Sequence, residues 1–111
     1  MQFDKGHKVT NMDKININEE FVSLNEEWAP KIIAESNGQS VRILKGTGEL
    51  GWHKHEDEEK IIMVFKGQLT LKLKSSSDIV LDAGDMYVMP KGVDHCPVAQ
   101  TDTHFMMIEP S

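Results

Sequence analysis

The 111-residue chain contains a single cysteine, Cys96, so it cannot form an internal disulfide. That composition suits a reducing compartment, and we expect a cytoplasmic location. No apolar run approaches the roughly 18 residues that a spanning helix requires, and the polar first residues do not resemble a signal peptide, so we expect no membrane association. Basic residues are also few, with 12 Lys and Arg against 18 Asp and Glu and a net charge of -6. Nucleic acid is therefore a poor partner candidate.

Short apolar runs separated by turn residues dominate the chain after residue 40. Glycine, serine, aspartate and proline stand between these runs, which are partly β-branched. Many short strands at even spacing predict an all-β fold, either an antiparallel sandwich or a barrel. The six predicted strands are Val41–Leu44, Ile61–Phe65, Leu69–Leu73, Ile79–Leu81, Met86–Met89 and Phe105–Ile108.

Two of these runs differ in their periodicity. The run Leu69–Leu73 alternates leucine with polar residues, which predicts one buried face and one face in water. The run Ile61–Phe65 does not alternate. We therefore expect it to be covered on both faces, either inside the fold or against a second subunit.

The first 40 residues have weaker signals. Asn18–Glu20 and Asn25–Glu27 are typical of helix starts or turns, and Pro30 ends any helix begun there. We expect residues 1–40 to form an N-terminal segment with short helical turns that packs on the barrel or on a partner subunit. Residues 41–111 would form the single domain, which is large enough to bury a core.

Three histidines stand out as candidate metal ligands. His53 and His55 are two residues apart, so on a strand their side chains point to the same face. A third imidazole, His95, would complete the nitrogen-rich half-cage that borderline divalent metals prefer. Any one of them alone would more often be a surface histidine than a ligand.

Two segments resemble the conserved motifs of the cupin superfamily. Residues 51–67 contain two histidines one residue apart and end on a glycine that closes a strand, as in the first motif. Residues 84–95, from Gly84 through Pro90 and Gly92 to His95, match the second motif. The short gap between them is similar to that of small single-domain bacterial cupins, and the resemblance covers roughly residues 41–109.

This resemblance implies a small antiparallel β-barrel, the jelly-roll-like double-stranded β-helix. It also implies that His53, His55 and His95 converge in the mouth of the barrel and hold a divalent metal ion, which could be Fe, Mn, Ni, Co, Cu or Zn. Many such proteins are dimers, so we expect a homodimer that binds a small-molecule ligand or substrate.

The fourth ligand position, a glutamate in the family, departs from the pattern. Counting back from Gly67 places Lys60 there, whereas counting forward from His55 places Glu59 there. A shift of one residue reverses the face of a strand. Lys60 is favoured as a pocket residue because it precedes a regular strand, and Glu59 remains a tentative fourth ligand that a bulge would have to supply.

Two functions are consistent with these residues. The first is a metal-dependent enzyme, a dioxygenase or an isomerase, in which Lys60 contacts an anionic group of a small organic substrate. The second is a non-catalytic cupin that binds a small ligand and has lost the metal-binding glutamate. The sequence assigns no catalytic residue. Cys96 is expected to be a buried structural thiol, and His104 a structural residue or one at the rim of the pocket.

Overall fold

A computed structural model describes residues 2–4, 7–8, 13–74 and 76–111 of the chain. Within these residues, the regular structure consists of one short helix and nine strands. In chain order these elements are β1 (Gln2–Asp4), β2 (His7–Lys8), α1 (Ile17–Val22), β3 (Lys31–Ser36), β4 (Gln39–Glu49), β5 (Lys60–Lys66), β6 (Gln68–Leu73), β7 (Ile79–Asp82), β8 (Met86–Met89) and β9 (His95–Pro110). Strands β1 and β2 pair with each other in a small antiparallel sheet.

The other seven strands form one antiparallel sheet organised around the long strand β9. Its second half pairs with β4 on one side and with β5 on the other, as in Ile43↔Met106 and Met63↔Met106. Its first half pairs with β6, beginning at Leu73↔His95. Strand β8 extends the sheet beyond β5, and β7 beyond β6. The predicted all-β antiparallel fold is therefore confirmed, and each of the six predicted runs lies in a strand.

The curved sheet encloses the main hydrophobic core. Side chains alternate across a strand, so every second residue of β4, β5, β6 and β9 points inward. The buried residues of this core are Leu44, Ile62, Val64, Leu69, Leu71, Leu81, Met89, Ala99 and Phe105. Six strands thus contribute to a single interior, the arrangement expected of a small barrel.

A second, smaller core lies on the outer face of the sheet. The side chains of Ile43 and Met106 point to the opposite face of the sheet from those of the adjacent residues in the main core. Phe21, Leu24 and Ile33 pack against them. Helix α1 begins at its N-cap, Asn16, whose side chain accepts a hydrogen bond from the backbone N–H of Glu19 at 2.9 Å. The short helix thus contains Asn18–Glu20, the first of the two segments predicted as helix starts or turns.

Strand β3 was not predicted from the sequence. It pairs with β4 in the main sheet, from Lys31↔Ile43 to Ser36↔Gln39. The division of the chain at residue 40 stays a prediction. No helix in the part of the chain described above is long and apolar enough to cross a bilayer.

Strand β5 is not covered on both faces by the residues that the structure describes. Lys60, Ile62 and Val64 are buried, while Ile61 and Met63 are half-buried and Phe65 is 37% exposed. The alternation is hidden in the sequence because apolar residues occupy both faces. We expected β5 to be covered either inside the fold or by a second subunit, and the inside of the fold covers only one of its faces.

Candidate functional site

Backbone hydrogen bonds bring the three histidines together. His53 and His95 form an isolated antiparallel bridge in which each N–H donates to the other's carbonyl at 2.9 Å. The N–H of Gly92 donates to the carbonyl of His55 at 2.7 Å, and Gly92 has a φ of 76°, which favours glycine. The two predicted motifs therefore meet through their main chains.

The three imidazoles converge, although His53 and His55 lie between β4 and β5 and not on a strand as expected, so the bridge to His95 and not strand alternation brings them together. One nitrogen atom from each of His53, His55 and His95 lies within 4.8 Å of the other two. The ring centroids of His53 and His95 are 4.3 Å apart, and the ring of His55 lies 5.4 Å from His53 and 6.1 Å from His95. Three nitrogen donors in this arrangement form the kind of open site in which further coordination positions remain for a ligand.

Two of the imidazoles are oriented by the backbone. His95 Nδ1 lies 2.9 Å from the carbonyl oxygen of Val93, and His53 Nδ1 lies 3.2 Å from that of Gly51. When Nδ1–H donates to these carbonyls, Nε2 of each ring keeps its lone pair for a metal ion. This is the outer hydrogen bonding that metal-binding histidines usually have, so the donor set fits a divalent metal.

Electrostatics also favour neutral imidazoles here. Burial lowers the pKa of His95, although its hydrogen bond to Val93 opposes the change. Burial lowers the pKa of His55 as well, and the positive charge of Lys60 adds to the effect. Both rings are therefore unprotonated near neutral pH, which is the form that binds a metal.

Lys60 lies beside the histidines. It is the first residue of β5, it is 8% exposed, and its Nζ atom lies 2.9 Å from Nε2 of His55. An ammonium group can only donate, so His55 accepts this hydrogen bond with the lone pair that a metal ion would use. Nζ also lies 3.9 Å from the carboxylate of Glu109, and burial lowers the pKa of Lys60 while that carboxylate opposes the change.

Glu59 is placed differently. Its side chain is exposed, and it lines an outer cavity of about 650 Å³. The adjacent residue Lys60 begins the strand and points inward, so Glu59 leaves the opposite side of the backbone. The structure thus brings Lys60, and not Glu59, to the three histidines. A fourth ligand from Glu59 stays a prediction that this geometry does not favour.

An inner cavity of about 210 Å³ adjoins the histidines. Its wall is mainly apolar, and its polar groups are the three imidazoles, Arg42, Lys60 and Glu109. The apolar wall comprises Trp28, Pro30, Leu44, Leu50, Ile62, Leu69, Leu71, Pro97, Phe105 and Met107. A small apolar cavity with a few convergent polar groups is the usual form of a small-molecule site.

Trp28 contributes to this wall because Gly46 makes room for it. A Cβ atom on Gly46 would lie 2.5 Å from the indole ring, which is closer than side-chain atoms can approach. The indole Nε1–H donates to the carbonyl of Thr47 at 3.3 Å, and the ring packs against Phe105 at a centroid distance of 6.0 Å.

Two polar residues of the cavity were not found by sequence reasoning. Arg42 lies in the apolar run that becomes β4, and Glu109 ends the apolar run of β9. Each lies two residues from another residue of the cavity wall, Arg42 from Leu44 and Glu109 from Met107, so each pair points to the same side of its strand. A charged residue at an inward position of a strand was the signal that could have identified them.

Two further residues lie away from the cavity wall. Cys96 is fully buried with a free thiol, as expected of a structural cysteine. His104 Nε2 lies 3.2 Å from the carboxylate of Asp102, and its ring stacks on Phe21 at 5.0 Å between centroids. Neither residue lines the inner cavity.

Comparisons with known proteins agree with this geometry. Residues 39–109 match the family model of the cupin domain, Cupin_2. The crystal structure of a cupin-2 domain containing protein from Shewanella frigidimarina is similar, with 40% identity, a TM-score of 0.84 and coverage of 87% of this chain and 94% of that chain. Protein NMB1881 from Neisseria meningitidis has 27% identity and a TM-score of 0.82, over 89% of this chain and 100% of that chain.

A curated relative matches over a shorter stretch. The uncharacterized protein YdbB of Bacillus subtilis is 37% identical over 70 residues, which are 63% of this chain and 62% of that protein. The family model covers both histidine segments and most of the main sheet. On these matches, the chain belongs to the cupin domain family.

Proposed function

We propose that this cupin binds a divalent metal ion through His53, His55 and His95 and a small organic ligand in the adjoining cavity. The observation that supports this most strongly is the group of three imidazoles with nitrogens within 4.8 Å of one another at the cavity wall. Imidazole ligands suit Fe, Ni, Cu and Zn, and they also occur with Mn and Co. The metal would supply a Lewis acid or an oxygen-activating centre next to the bound ligand.

Metal analysis of protein purified without an affinity tag tests this proposal. We expect close to one metal ion per chain in the wild type and a large loss in His53→Ala. The matched control is His104→Ala, which removes a histidine outside the cavity wall and should keep its metal. Less than about a tenth of a metal per chain in wild-type protein offered each of the six metals would refute the three-histidine site.

Within this proposal, the enzyme is a dioxygenase or an isomerase in which Lys60 holds an anionic group of the substrate. Oxygen consumption and product formation should be measured against a panel of small acids and sugar phosphates. We expect any activity found to vanish in His53→Ala and to persist in His104→Ala. Activity that survives His53→Ala would remove the metal from the mechanism.

A second function is favoured by the position of Lys60. Its ammonium occupies the lone pair of His55 Nε2, and no carboxylate joins the three histidines among the described residues. The cavity could then serve a non-catalytic cupin that only binds a small ligand. Ligand binding that is unchanged by a chelator, together with the absence of metal, would favour this function over the enzyme.

The outer face of the sheet supports a homodimer. On β8, Met86 and Val88 are 56% and 47% exposed, and the exposed side of β5 beside them carries Ile61, Met63 and Phe65. Contiguous exposed apolar surface of this kind is typical of protein interfaces. We place the dimer contact on this face, which would cover the second side of β5. Sedimentation equilibrium of the full chain measures the oligomeric state.

A cytoplasmic location is also part of the proposal. The free thiol of Cys96 is compatible with a reducing compartment. Fractionation of cells that produce the chain at its natural level tests the location, and recovery mainly from the periplasm or the medium would contradict it.

A further inference from the structure

The chain has one arginine, and that arginine lines the inner cavity. Of the 12 Lys and Arg residues, 11 are lysines, so Arg42 carries the only guanidinium in the sequence. Arg42 lies on β4 opposite Met107 of β9, and both residues line the cavity. Its Nε atom is buried and has no hydrogen-bond partner among the described residues.

A buried donor without a partner is unfavourable, and the cost is higher when the donor carries a charge. Arginine does not lose its proton in proteins, so the guanidinium cannot escape this cost by becoming neutral. The arrangement is therefore expected where a bound group supplies the missing acceptor.

Positive charge exceeds negative charge among the groups that line the cavity. Arg42 and Lys60 provide two cations, and Glu109 provides one carboxylate. Met107 neighbours both residues, since it is the register partner of Arg42 and its Sδ atom is 3.9 Å from Nζ of Lys60. These three charged side chains leave one positive charge in excess, which a ligand with one negative charge would balance.

We infer that Arg42 and Lys60 together bind the carboxylate of a small monocarboxylic acid whose apolar part lies against the cavity wall. A planar guanidinium pairs with a carboxylate through two parallel hydrogen bonds, which gives both strength and orientation. Two features favour a carboxylate over a phosphate ester. Without a metal ion, a phosphate dianion would exceed the positive charge that the side chains supply, and the cavity, at about 210 Å³, is mostly lined by hydrocarbon.

This inference rests on the proposed ligand cavity and names the class of ligand, but it does not require the metal. Arg42 would be a binding residue that determines specificity. It would select an acid over the corresponding amide, which has nearly the same shape and no charge.

Binding of hexanoate, benzoate and their amides to the full chain tests the inference, by calorimetry and by thermal shift, with and without a chelator. We expect a carboxylate to bind and its amide to bind at least about ten-fold more weakly, the usual effect of losing a charged hydrogen bond. Arg42→Met should remove this preference. Lys72→Met, which removes a positive charge from the exposed side of β6, should keep it.

A second variant, Arg42→Gln, keeps a hydrogen-bond donor without a charge and can replace Arg42→Met if that variant misfolds. The unfolding temperature of each variant is measured in parallel. Equal binding of acid and amide, or acid binding that is unchanged in both Arg42 variants, would overturn the inference. So would the absence of binding by every carboxylate in the series. Carboxylate binding without metal binding would leave the inference standing and refute the metal site, whereas metal binding without carboxylate preference would do the reverse.

Discussion

The contact between Lys60 and His55 predicts that the wild-type lysine weakens metal binding. Nζ of Lys60 lies 2.9 Å from Nε2 of His55 and occupies its lone pair. A divalent metal bonded to that nitrogen requires the ammonium to move, to lose its proton or to remain beside a double positive charge. Each of these costs free energy, so replacement of Lys60 should raise the affinity for the metal.

The size of the effect follows from the geometry. A metal bound to Nε2 at about 2.1 Å would lie no more than about 5 Å from an ammonium that stayed in place. Charges of +1 and +2 at that distance repel by about 2 kcal/mol in a water-like dielectric and by about 7 kcal/mol at an effective dielectric constant of about 20. Since the lysine can partly avoid this by rotation or deprotonation, we expect at least about a ten-fold gain in affinity.

Competition with a chromophoric chelator for Zn²⁺ or Co²⁺ measures the affinity. Lys60→Met removes the charge and keeps the length of the side chain, and Lys60→Glu offers a carboxylate in addition. We expect both variants to bind more tightly than wild type, with Lys60→Glu the tighter of the two. The control Lys72→Met also removes one positive charge, at a position outside the cavity, and should leave the affinity unchanged.

Glu109 requires a second comparison. In Lys60→Met its partly buried carboxylate loses the cation 3.9 Å away, which costs stability and frees the carboxylate to approach the metal. The pair of changes Lys60→Met and Glu109→Gln removes both charges and isolates the effect of the lysine. If this double variant and Lys60→Met both bind Zn²⁺ with wild-type affinity, Lys60 does not oppose the metal and the reasoning is refuted.

Three other predictions test separate parts of the structure. Gly46→Ala should displace Trp28 and lower stability by about 1–3 kcal/mol, as seen by a shift in tryptophan fluorescence and in the denaturation midpoint; an unchanged spectrum would contradict the packing. Val88→Lys should dissociate the proposed dimer in sedimentation equilibrium, whereas Val22→Lys, on a residue that is 85% exposed on α1, should not. Burial lowers the pKa of His95, so protons bind more readily to the unfolded chain than to the folded one. In the presence of a chelator, the stability of the protein should therefore fall as the pH drops below about 6.5, and it should fall less in His95→Gln. An equal dependence of stability on pH in the two proteins would contradict this.

The strands and the histidine group could be predicted because their signals are local. Apolar runs between turn residues marked six strands, and the spacing of His53 and His55 placed two imidazoles on one side of the chain. The motif resemblance then added His95. Strand β3 was missed because its apolar part is only Ile32–Ala34 and Pro30 precedes it closely, so no run or alternation distinguishes it.

The other cavity residues could not be predicted because their relation depends on strand pairing. Arg42 and Glu109 lie 67 positions apart, and only the register of β4 and β9 brings their side chains to one interior. Likewise, the two motif counts that pointed to Glu59 and to Lys60 differ by one residue, and only the start of β5 decides which of them faces inward. A local pattern cannot contain that information.

Arg42, Lys60 and Glu109 connect the two proposed properties of the cavity. The ammonium of Lys60 has two uses that exclude each other, since it can hydrogen-bond to His55 or turn toward an anionic ligand beside Arg42. A carboxylate that draws the lysine away from His55 would free the lone pair for the metal, and a metal at His55 would in turn make the lysine available to the carboxylate. Because coupling free energy is reciprocal, metal and acid should each increase the affinity for the other by the same factor. Calorimetric titration of Zn²⁺ with and without benzoate measures this factor, which should be smaller in Lys60→Met than in the wild type.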